Sequence, residues 1–237
     1  MKPLHKVKIK WSADFAYAIG LLATDGNLSP DGRHILFTSK DLELAKNFQK
    51  GLGMKNNHIG KKNSGSCKEK RYYVVQFSDR IFYDFLLNIG LMPKKTFIIN
   101  KVLISDVFFF DFLRGEFDGD GSVYSYFYPR WKSSFMFYLS FSCASQKHIV
   151  WLRRKIFRLS RSKGHITKSK NSSVYQLKYA KTESLKLIKK MYYNRDVLSL
   201  SRKRLKIEKV LALNQKNYAA VAKEKTHHLE VVATARS

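Results

Sequence analysis

Residues 18–26 read AIGLLATDG, and residues 113–121 read LRGEFDGDG. Both stretches place Gly at the third position, Asp at the eighth and Gly at the ninth, so Asp25 corresponds to Asp120. Self-similarity at a long period is typical of a duplicated structural unit. We therefore interpret the two stretches as equivalent elements in two halves of one chain.

The likeness between the halves continues beyond these stretches. A polar step containing Ser39 or Ser145 is followed in each half by an amphipathic segment, KDLELAKNFQKGLG or QKHIVWLRRKIFRLS. A strand-like block then precedes a basic step, which contains Lys95 in the first half and Lys203 in the second. The second half is longer because of an insertion within residues 124–140. This order indicates a tandem duplication with divergence.

The hydrophobic pattern predicts the same elements in both halves. Ser12 is a favourable N-cap for the first helix, and Gly26 is expected to stop that helix at its C-terminal end. Apolar alternation predicts a strand pair on each side of the amphipathic helix. Each half is thus α-β-β-α-β-β-α, with helices on one face of a sheet. We expect an α+β fold with subdomains over residues 1–100 and 101–214 and a tail over 215–237 that adds a helix in its alanine-rich part.

Composition restricts the class of protein. The 237 residues include 45 Lys+Arg and 18 Asp+Glu, which gives a formal net charge of +27. This charge favours a polyanionic partner, and an apolar content of 44% excludes disorder as a global description. Cys67 and Cys143 are too few for a disulfide framework. The charged N-terminus lacks the apolar region of a secretory signal, and no apolar stretch is long enough to span a bilayer. We therefore expect an intracellular protein without a membrane partner.

The sheet face that the helices leave open is expected to bind nucleic acid. Alternate strand positions look basic, and a two-stranded ribbon fits the major groove of DNA. These positions could instead be solvated, but the net charge favours binding. The expected contact residues are Arg71, Lys132, Lys168, Lys170 and Lys178.

Matched glycines and aspartates predict how the two halves meet. Gly20 and Gly115 lie within helices, where Gly costs about 1 kcal/mol relative to Ala. A close helix–helix approach across a pseudo-twofold axis explains this cost in both copies. Asp25 and Asp120 would then converge at helix C-termini, where a carboxylate is unfavourable. Divalent cations, Mg²⁺ by default, would offset the repulsion beside a phosphodiester.

The stretches that contain Asp25 and Asp120 resemble the two signature motifs of monomeric LAGLIDADG homing endonucleases, and the likeness covers about residues 12–210. The first motif departs from the pattern at Ala23, where the family usually has an acid. Asp118 is the counterpart of Ala23, and we expect it to support the metal ligands without binding the metal itself. Asp111 and Glu116 are expected to face solvent or to cap locally.

The resemblance implies a saddle of two αββαββα subdomains over double-stranded DNA, with the motif helices at their interface. Asp25 and Asp120 would bind Mg²⁺ or Mn²⁺ across the minor groove, and hydrolysis of a long site would leave 3′ overhangs. Polar and basic residues would surround the metals: Ser39, Lys40, Lys95, Ser145, Gln146, Lys147 and Lys203. Lys94 and Arg202 are expected to contact phosphate.

Three functions remain open at this point. The first is a site-specific DNA endonuclease that acts as a monomer. The second is a maturase that binds intron RNA with cleavage secondary or lost, and basic charge alone does not separate the two. The third is a transcription regulator on the same scaffold, which predicts lost acids or an added helix-turn-helix. Neither feature is present in the sequence.

Overall fold

The computed structural model describes residues 6–54, 58–63 and 71–234. The first half follows the predicted order of helices and strands. Its elements are α1 (Ala13–Asp25), β1 (Gly26–Leu28), β2 (His34–Ser39), α2 (Leu42–Gly51), β3 (Gly60–Asn63), β4 (Arg71–Ser78) and α3 (Arg80–Asn88). A short 3₁₀ turn, Lys95–Phe97, leads towards the second half.

The second half repeats this order with longer strands. Its elements are α4 (Phe109–Asp120), β5 (Ser122–Tyr128), β6 (Trp131–Cys143), α5 (Gln146–Ser160), β7 (His165–Lys168), β8 (Tyr175–Ala180) and α6 (Lys181–Met191). The insertion predicted from the sequence lengthens the β5–β6 hairpin, which has its irregular step between Phe127 and Tyr128. The α+β fold with two αββαββα halves is confirmed.

Each half contains one four-stranded antiparallel sheet. The strand order is β1-β2-β4-β3 in the first sheet and β5-β6-β8-β7 in the second. Alternate residues of β2, such as Ile35 and Phe37, are fully buried, because successive side chains of a strand point to opposite faces. Phe137 and Leu139 are buried in the same way on β6. The apolar faces of both sheets therefore pack against helices.

Helix α1 begins and ends where the sequence predicts. The Ser12 hydroxyl accepts a hydrogen bond from the Phe15 amide at 3.1 Å, as an N-cap does. Gly26 follows the helix, but its backbone is extended, with φ of −82°, and it starts β1. A Cβ atom on Gly26 would lie 2.6 Å from the Leu22 carbonyl oxygen. Close contact with the last turn, not left-handed backbone, accounts for glycine here.

The C-terminal region differs from the expected division into a second subdomain and a separate tail helix. Helix α7 runs from Ser201 to Thr234 and includes both the basic step around Lys203 and the alanine-rich part. It runs without a break across the expected boundary between the second subdomain and the tail, at residues 214 and 215. Lys203 therefore lies in the first turn of a helix, whereas Lys95 lies in a 3₁₀ turn. None of the described helices has an apolar stretch suited to crossing a lipid bilayer.

Candidate active site at the paired helices

Helices α1 and α4 cross at two glycines. A Cβ atom on Gly20 would lie 2.9 Å from the Glu116 amide nitrogen, and one on Gly115 would lie 3.0 Å from the Leu21 amide nitrogen. A Cβ atom would also overlap the Phe112 carbonyl oxygen at Gly20 and the Tyr17 carbonyl oxygen at Gly115, so only glycine fits at both positions. Most of α1 and α4 is buried, including the whole run Phe15–Leu22. The structure thus places Gly20 and Gly115 at the contact between the halves.

The two aspartates lie at adjacent helix ends. An Oδ atom of Asp25 is 3.0 Å from the position of a Cβ on Gly119, in the last turn of α4. Asp25 is half-buried, whereas Asp120 is exposed. Among the described residues, the Asp25 carboxylate accepts a single hydrogen bond, a long one from the Thr24 hydroxyl at 3.4 Å. Both carboxylates therefore keep oxygen atoms free for a further ligand.

Burial and mutual repulsion raise the pKa of Asp25. Desolvation has the larger effect, the charge of Asp120 adds to it, and the pKa is about 6. The pKa of Asp120 is also raised, mainly because the surrounding protein desolvates its carboxylate although it keeps solvent contact. The fold thus holds these acids where their charged forms are unfavourable without a cation.

Two buried lysines close the helix C-termini beside the aspartates. The Lys95 ammonium donates to the Thr24 carbonyl at 3.2 Å and to the Gly26 carbonyl. The Lys203 ammonium donates to the two corresponding carbonyls of the second half, at 3.0 Å to Gly119 and 2.7 Å to Gly121, and also to the Phe117 carbonyl at 2.6 Å. Each lysine therefore satisfies carbonyls that the end of its helix leaves without partners.

Opposing effects set the charge of these lysines. Desolvation is the largest effect and lowers the pKa of both lysines, to about 8 for Lys203. The charges of Asp25 and Asp120 oppose this decrease at both lysines, and at Lys203 the charge of Asp118 opposes it more strongly. Lys95 and Lys203 in turn oppose the rise in the pKa of Asp25. The four groups therefore form one electrostatic unit around the ends of α1 and α4.

The other residues expected near the metals have local partners. Ser39 accepts from the Asp41 amide at 3.1 Å, and Ser145 caps α5 and donates to the Ile99 carbonyl at 2.5 Å. Lys40 lies over the Tyr72 ring at 5.8 Å. The Gln146 amide oxygen accepts from the Tyr175 hydroxyl at 3.2 Å. Lys147 is exposed and lines a surface groove with Lys101 and Arg154. No contact in the structure joins these five residues to Asp25 or Asp120.

The open sheet faces are less basic than expected. Register pairs Lys178 with Ser140, on the face that the helices leave open. Lys168 pairs with Tyr175 and lies over its ring at 4.7 Å, so the expected open-face position for Lys168 is wrong. Arg71 likewise shares the strand parity of buried Val75 and Phe77. The strand period puts these two basic residues on the side of the helices.

Three further predicted DNA contacts, Lys94, Lys170 and Arg202, lie outside the strands. Lys170 is exposed in the β7–β8 turn, and Lys94 is exposed with left-handed backbone at φ of 53°. Arg202 is largely exposed but forms an ion pair with Asp41 at 2.8 Å. The side chain of Lys132 lies outside the described part of the chain. The open face of the second sheet instead carries a tyrosine stack, with Tyr138 between Tyr124 and Tyr126 at centroid distances of 5.1 and 6.2 Å.

Three acids of α4 are buried. The expectation that Asp111 and Glu116 face solvent is wrong, since Asp111 pairs with fully buried Arg114 at 2.9 Å and Glu116 pairs with His148 at 2.6 Å. Asp118 accepts from the Tyr17 hydroxyl at 2.7 Å and from the Leu200 amide at 2.6 Å. The position of His148 on the apolar stripe of α5 was the one sequence signal for a buried polar partner.

Comparison with known proteins identifies the fold. No protein-family model and no curated protein matches the sequence. The LAGLIDADG homing endonuclease I-LtrWI bound to target DNA matches with a TM-score of 0.56 and 13% identity, over 86% of this chain and 91% of that chain. I-DmoI in complex with DNA and Mn matches with a TM-score of 0.51 and 15% identity, over 77% and 98%.

A third similar structure is full-length WhiA from Thermatoga maritima. Its TM-score is 0.51 at 16% identity, over 91% of this chain and 71% of that chain. At these identities the comparisons establish the fold, which is that of the LAGLIDADG homing endonucleases. Activity and partners must be argued from the residues of this chain.

The donor set fits a divalent cation. Mg²⁺ prefers oxygen ligands and is commonly held by one or two carboxylates together with substrate phosphates. Asp25 and Asp120 provide such carboxylates, with oxygen atoms available and with raised pKa values that a cation would reverse. Among the described residues, no group of three or more His, Cys, Asp or Glu side chains could hold a metal alone. Phosphate oxygens are therefore the natural remaining ligands.

Proposed function

We propose that this protein is a site-specific, metal-dependent DNA endonuclease that cleaves both strands of a long duplex site. The observation that carries the proposal is the pairing of Asp25 and Asp120 at the ends of two crossed helices, each beside a buried lysine. A duplicated site with two acids and two cations suits a substrate with two scissile phosphates, one on each strand.

Asp25 and Asp120 would hold Mg²⁺ or Mn²⁺ in this proposal. A bound divalent cation supplies Lewis acidity at the phosphodiester and lowers the pKa of water. The chain contributes the fixed separation of the two carboxylates, which the crossing at Gly20 and Gly115 determines. Preorganised donors of this kind cost no rearrangement when the reaction occurs.

Lys95 and Lys203 would place positive charge beside the two phosphates. Their ammonium groups are held by backbone carbonyls, so their positions do not depend on the substrate. Stabilisation of developing negative charge by fixed cations is among the larger effects in phosphoryl chemistry. The raised pKa values of the acids and the lowered pKa values of the lysines mark these four residues as a functional cluster.

Double-stranded DNA is the proposed partner, and one monomer would supply both halves of the site. The charge of +27 supports a polyanion, and the open faces of the two sheets support a duplex. A DNA-binding protein without cleavage is the second candidate, because the net charge and the open sheet faces would serve binding alone equally well. Retention of both acids and both lysines favours the endonuclease.

The decisive experiment uses a supercoiled plasmid that carries the joined sequences flanking this reading frame in its genome. Linear plasmid with Mg²⁺ or Mn²⁺ but not with EDTA would support the proposal, and sequenced ends should show 3′ overhangs. Stable binding to the junction without any cut, under either metal, would favour the non-catalytic DNA-binding candidate. Metal-independent binding to the intron RNA alone would favour a maturase.

A further inference from the structure

The segment that carries Lys203 is held by the other half of the protein. Three side chains from α2 and its N-cap position, in the first half, bind Ser199, Ser201 and Arg202. The bonds join the Asn47 amide to the Ser199 carbonyl at 2.9 Å, the Glu43 carboxylate to the Ser201 amide at 3.1 Å, and the Asp41 carboxylate to the Arg202 guanidinium at 2.8 Å.

Asp41 is committed to this contact. It occupies the N-cap position of α2, yet its side chain makes no capping hydrogen bond. Both of its carboxylate oxygens accept from Arg202 instead, the Nε bonds measuring 3.1 and 3.2 Å. A capping bond typically contributes about 1 kcal/mol, so the side chain gives up local helix stabilisation for a contact with α7.

The contacts continue without interruption to Lys203. The Leu200 amide donates to the Asp118 carboxylate at 2.6 Å, which fixes the segment to α4 as well. Every residue from Ser199 to Lys203 therefore has a specific partner on α2 or α4. Lys203 is the end of this series, with its ammonium on the α4 carbonyls.

The segment after Lys95 shows the reciprocal arrangement. Helix α5, in the second half, reaches the carbonyls of Ile99, Asn100 and Ile104 through Ser145, His148 and Lys155 at 2.5, 2.6 and 3.2 Å. His148 is itself fixed by Glu116 of α4. Each lysine is therefore attached to the motif helix of its own half, and its segment is attached to the amphipathic helix of the other half.

We propose that Asp41 and Arg202 are positioning residues that hold Lys203 at one of the two cleavage centres from across the pseudo-twofold axis. The inference rests on the proposed endonuclease function. Arg202 thus acts through its neighbour on the chain and not as a phosphate contact. Since only the Lys203 segment uses this ion pair, its loss affects one centre and leaves the Lys95 centre intact.

Strand-resolved cleavage tests the proposal with the full-length protein and the junction duplex labelled differently on each strand. Asp41→Arg places like charges together and should slow cleavage of one strand at least about fivefold, with the other strand within twofold, so that nicked DNA accumulates. Asp41→Arg combined with Arg202→Asp should restore the wild-type strand ratio. Equal slowing of both strands, or no rescue in the double variant, would overturn the proposal.

Two controls separate positioning from stability. Asp41→Asn keeps a good N-cap residue but removes the charge, so it should give the same strand bias more weakly, by about two- to fivefold. Asp84→Asn makes the same substitution at an exposed position of α3 and should leave the ratio unchanged. A bias of equal size in Asp84→Asn would contradict a specific role for Asp41.

A second readout does not need cleavage. Acetylation by a soluble N-hydroxysuccinimide ester, followed by mass spectrometry, reports how firmly each lysine amine is held. In Asp41→Arg, Lys203 should react several-fold faster than in the wild type while Lys95 is unchanged. If the wild type cuts nothing but this selective change occurs, the endonuclease proposal fails and the positioning contact stands. An unchanged Lys203 rate, or an equal rise at Lys95, would overturn the positioning contact itself.

Discussion

The Cα atom of Gly115 lies 3.0 Å from the position that a Cβ atom would take on Gly20. Helices α1 and α4 are therefore in backbone contact, and their last turns bring Asp25 and Asp120 to one place. The separation of the two carboxylates depends on this contact, since nothing softer than backbone lies between the helices at the crossing.

Substitution at the crossing should destabilise the whole protein. In Gly20→Ala the new methyl group would meet the Phe112 carbonyl and the Glu116 amide, so the helices must move apart. Overpacking of this kind costs about 1–3 kcal/mol and more where backbone must shift. Urea unfolding should show a loss of about 3 kcal/mol.

Gly60→Ala is the matched control. A Cβ atom there would lie 3.8 Å from the Val74 carbonyl oxygen, which is ordinary contact. We expect a change within about 0.5 kcal/mol, as for other surface substitutions. A loss in Gly20→Ala no larger than in Gly60→Ala would show that the helices are not in close contact.

Neutralising either acid should separate cleavage from binding. Asp25→Asn and Asp120→Asn each remove a charged oxygen ligand while keeping the shape of the side chain. Each should reduce double-strand cleavage by at least about 100-fold and leave duplex affinity within a few-fold, since phosphate contacts elsewhere dominate binding. Plasmid linearisation and a gel-shift titration at fixed salt provide the measurements. Full cutting by both variants would remove these residues from the site.

The raised pKa of Asp25 predicts a pH-dependent stability in metal-free protein. The folded-state pKa of about 6 lies above the ordinary value of 3.8, so the folded protein binds this proton more tightly than the unfolded chain. Stability is therefore lost as the pH rises from about 4 to 6 and stays reduced above. In EDTA at pH 7, the free energy of unfolding of Asp25→Asn, measured with urea, should exceed that of the wild type by about 1–3 kcal/mol. Near pH 4 the two values should differ little. A difference of the same size at both pH values would contradict a titration effect.

The buried ion pair of Arg114 should matter more than an exposed one. Arg114 also donates to the carbonyls of Leu198 and Met191, at 2.8 and 2.6 Å, so Arg114→Met would leave Asp111 and two carbonyls without this partner. Removing one partner of a buried pair typically costs about 3–5 kcal/mol. Arg158→Met, at an exposed pair with Asp106, should cost no more than about 1 kcal/mol. Similar losses in the two variants, measured by urea unfolding, would argue against burial as the cause.

The repeat made most of the fold predictable from the sequence. Matched Gly and Asp positions set the element order of both halves, because two copies of a weak pattern reinforce each other. The end of α1 was also predictable, but the reason for Gly26 was not, since contact with Leu22 depends on the direction in which β1 leaves the helix. The single helix α7 was missed because the basic step was matched to that of the first half, where Lys95 lies outside an α-helix, and because the alanine-rich part was treated as a separate tail.

Polar partners were harder to foresee than the main acids. Glu116 and Asp111 look like exposed helix residues until other elements cover them, His148 of α5 at Glu116 and Tyr193 after α6 at Asp111. Strand parity was also misjudged at Arg71 and Lys168, since these residues lie at strand ends and register decides their face. Asp41 and Arg202 are distant in sequence, and only the packing of α2 against α7 brings them together.

The pair Glu116–His148 belongs to one half only. Counted from the matched motifs and from the N-cap residues Asp41 and Ser145, the corresponding positions of the first half carry Leu21 and Leu44, both buried. The same architectural place is therefore apolar in one copy and ionic in the other. In an assembly of two identical chains, every substitution appears twice. Fusion of the copies removes that restriction, and each half of this protein has been free to acquire its own chemistry while both still shape a shared centre.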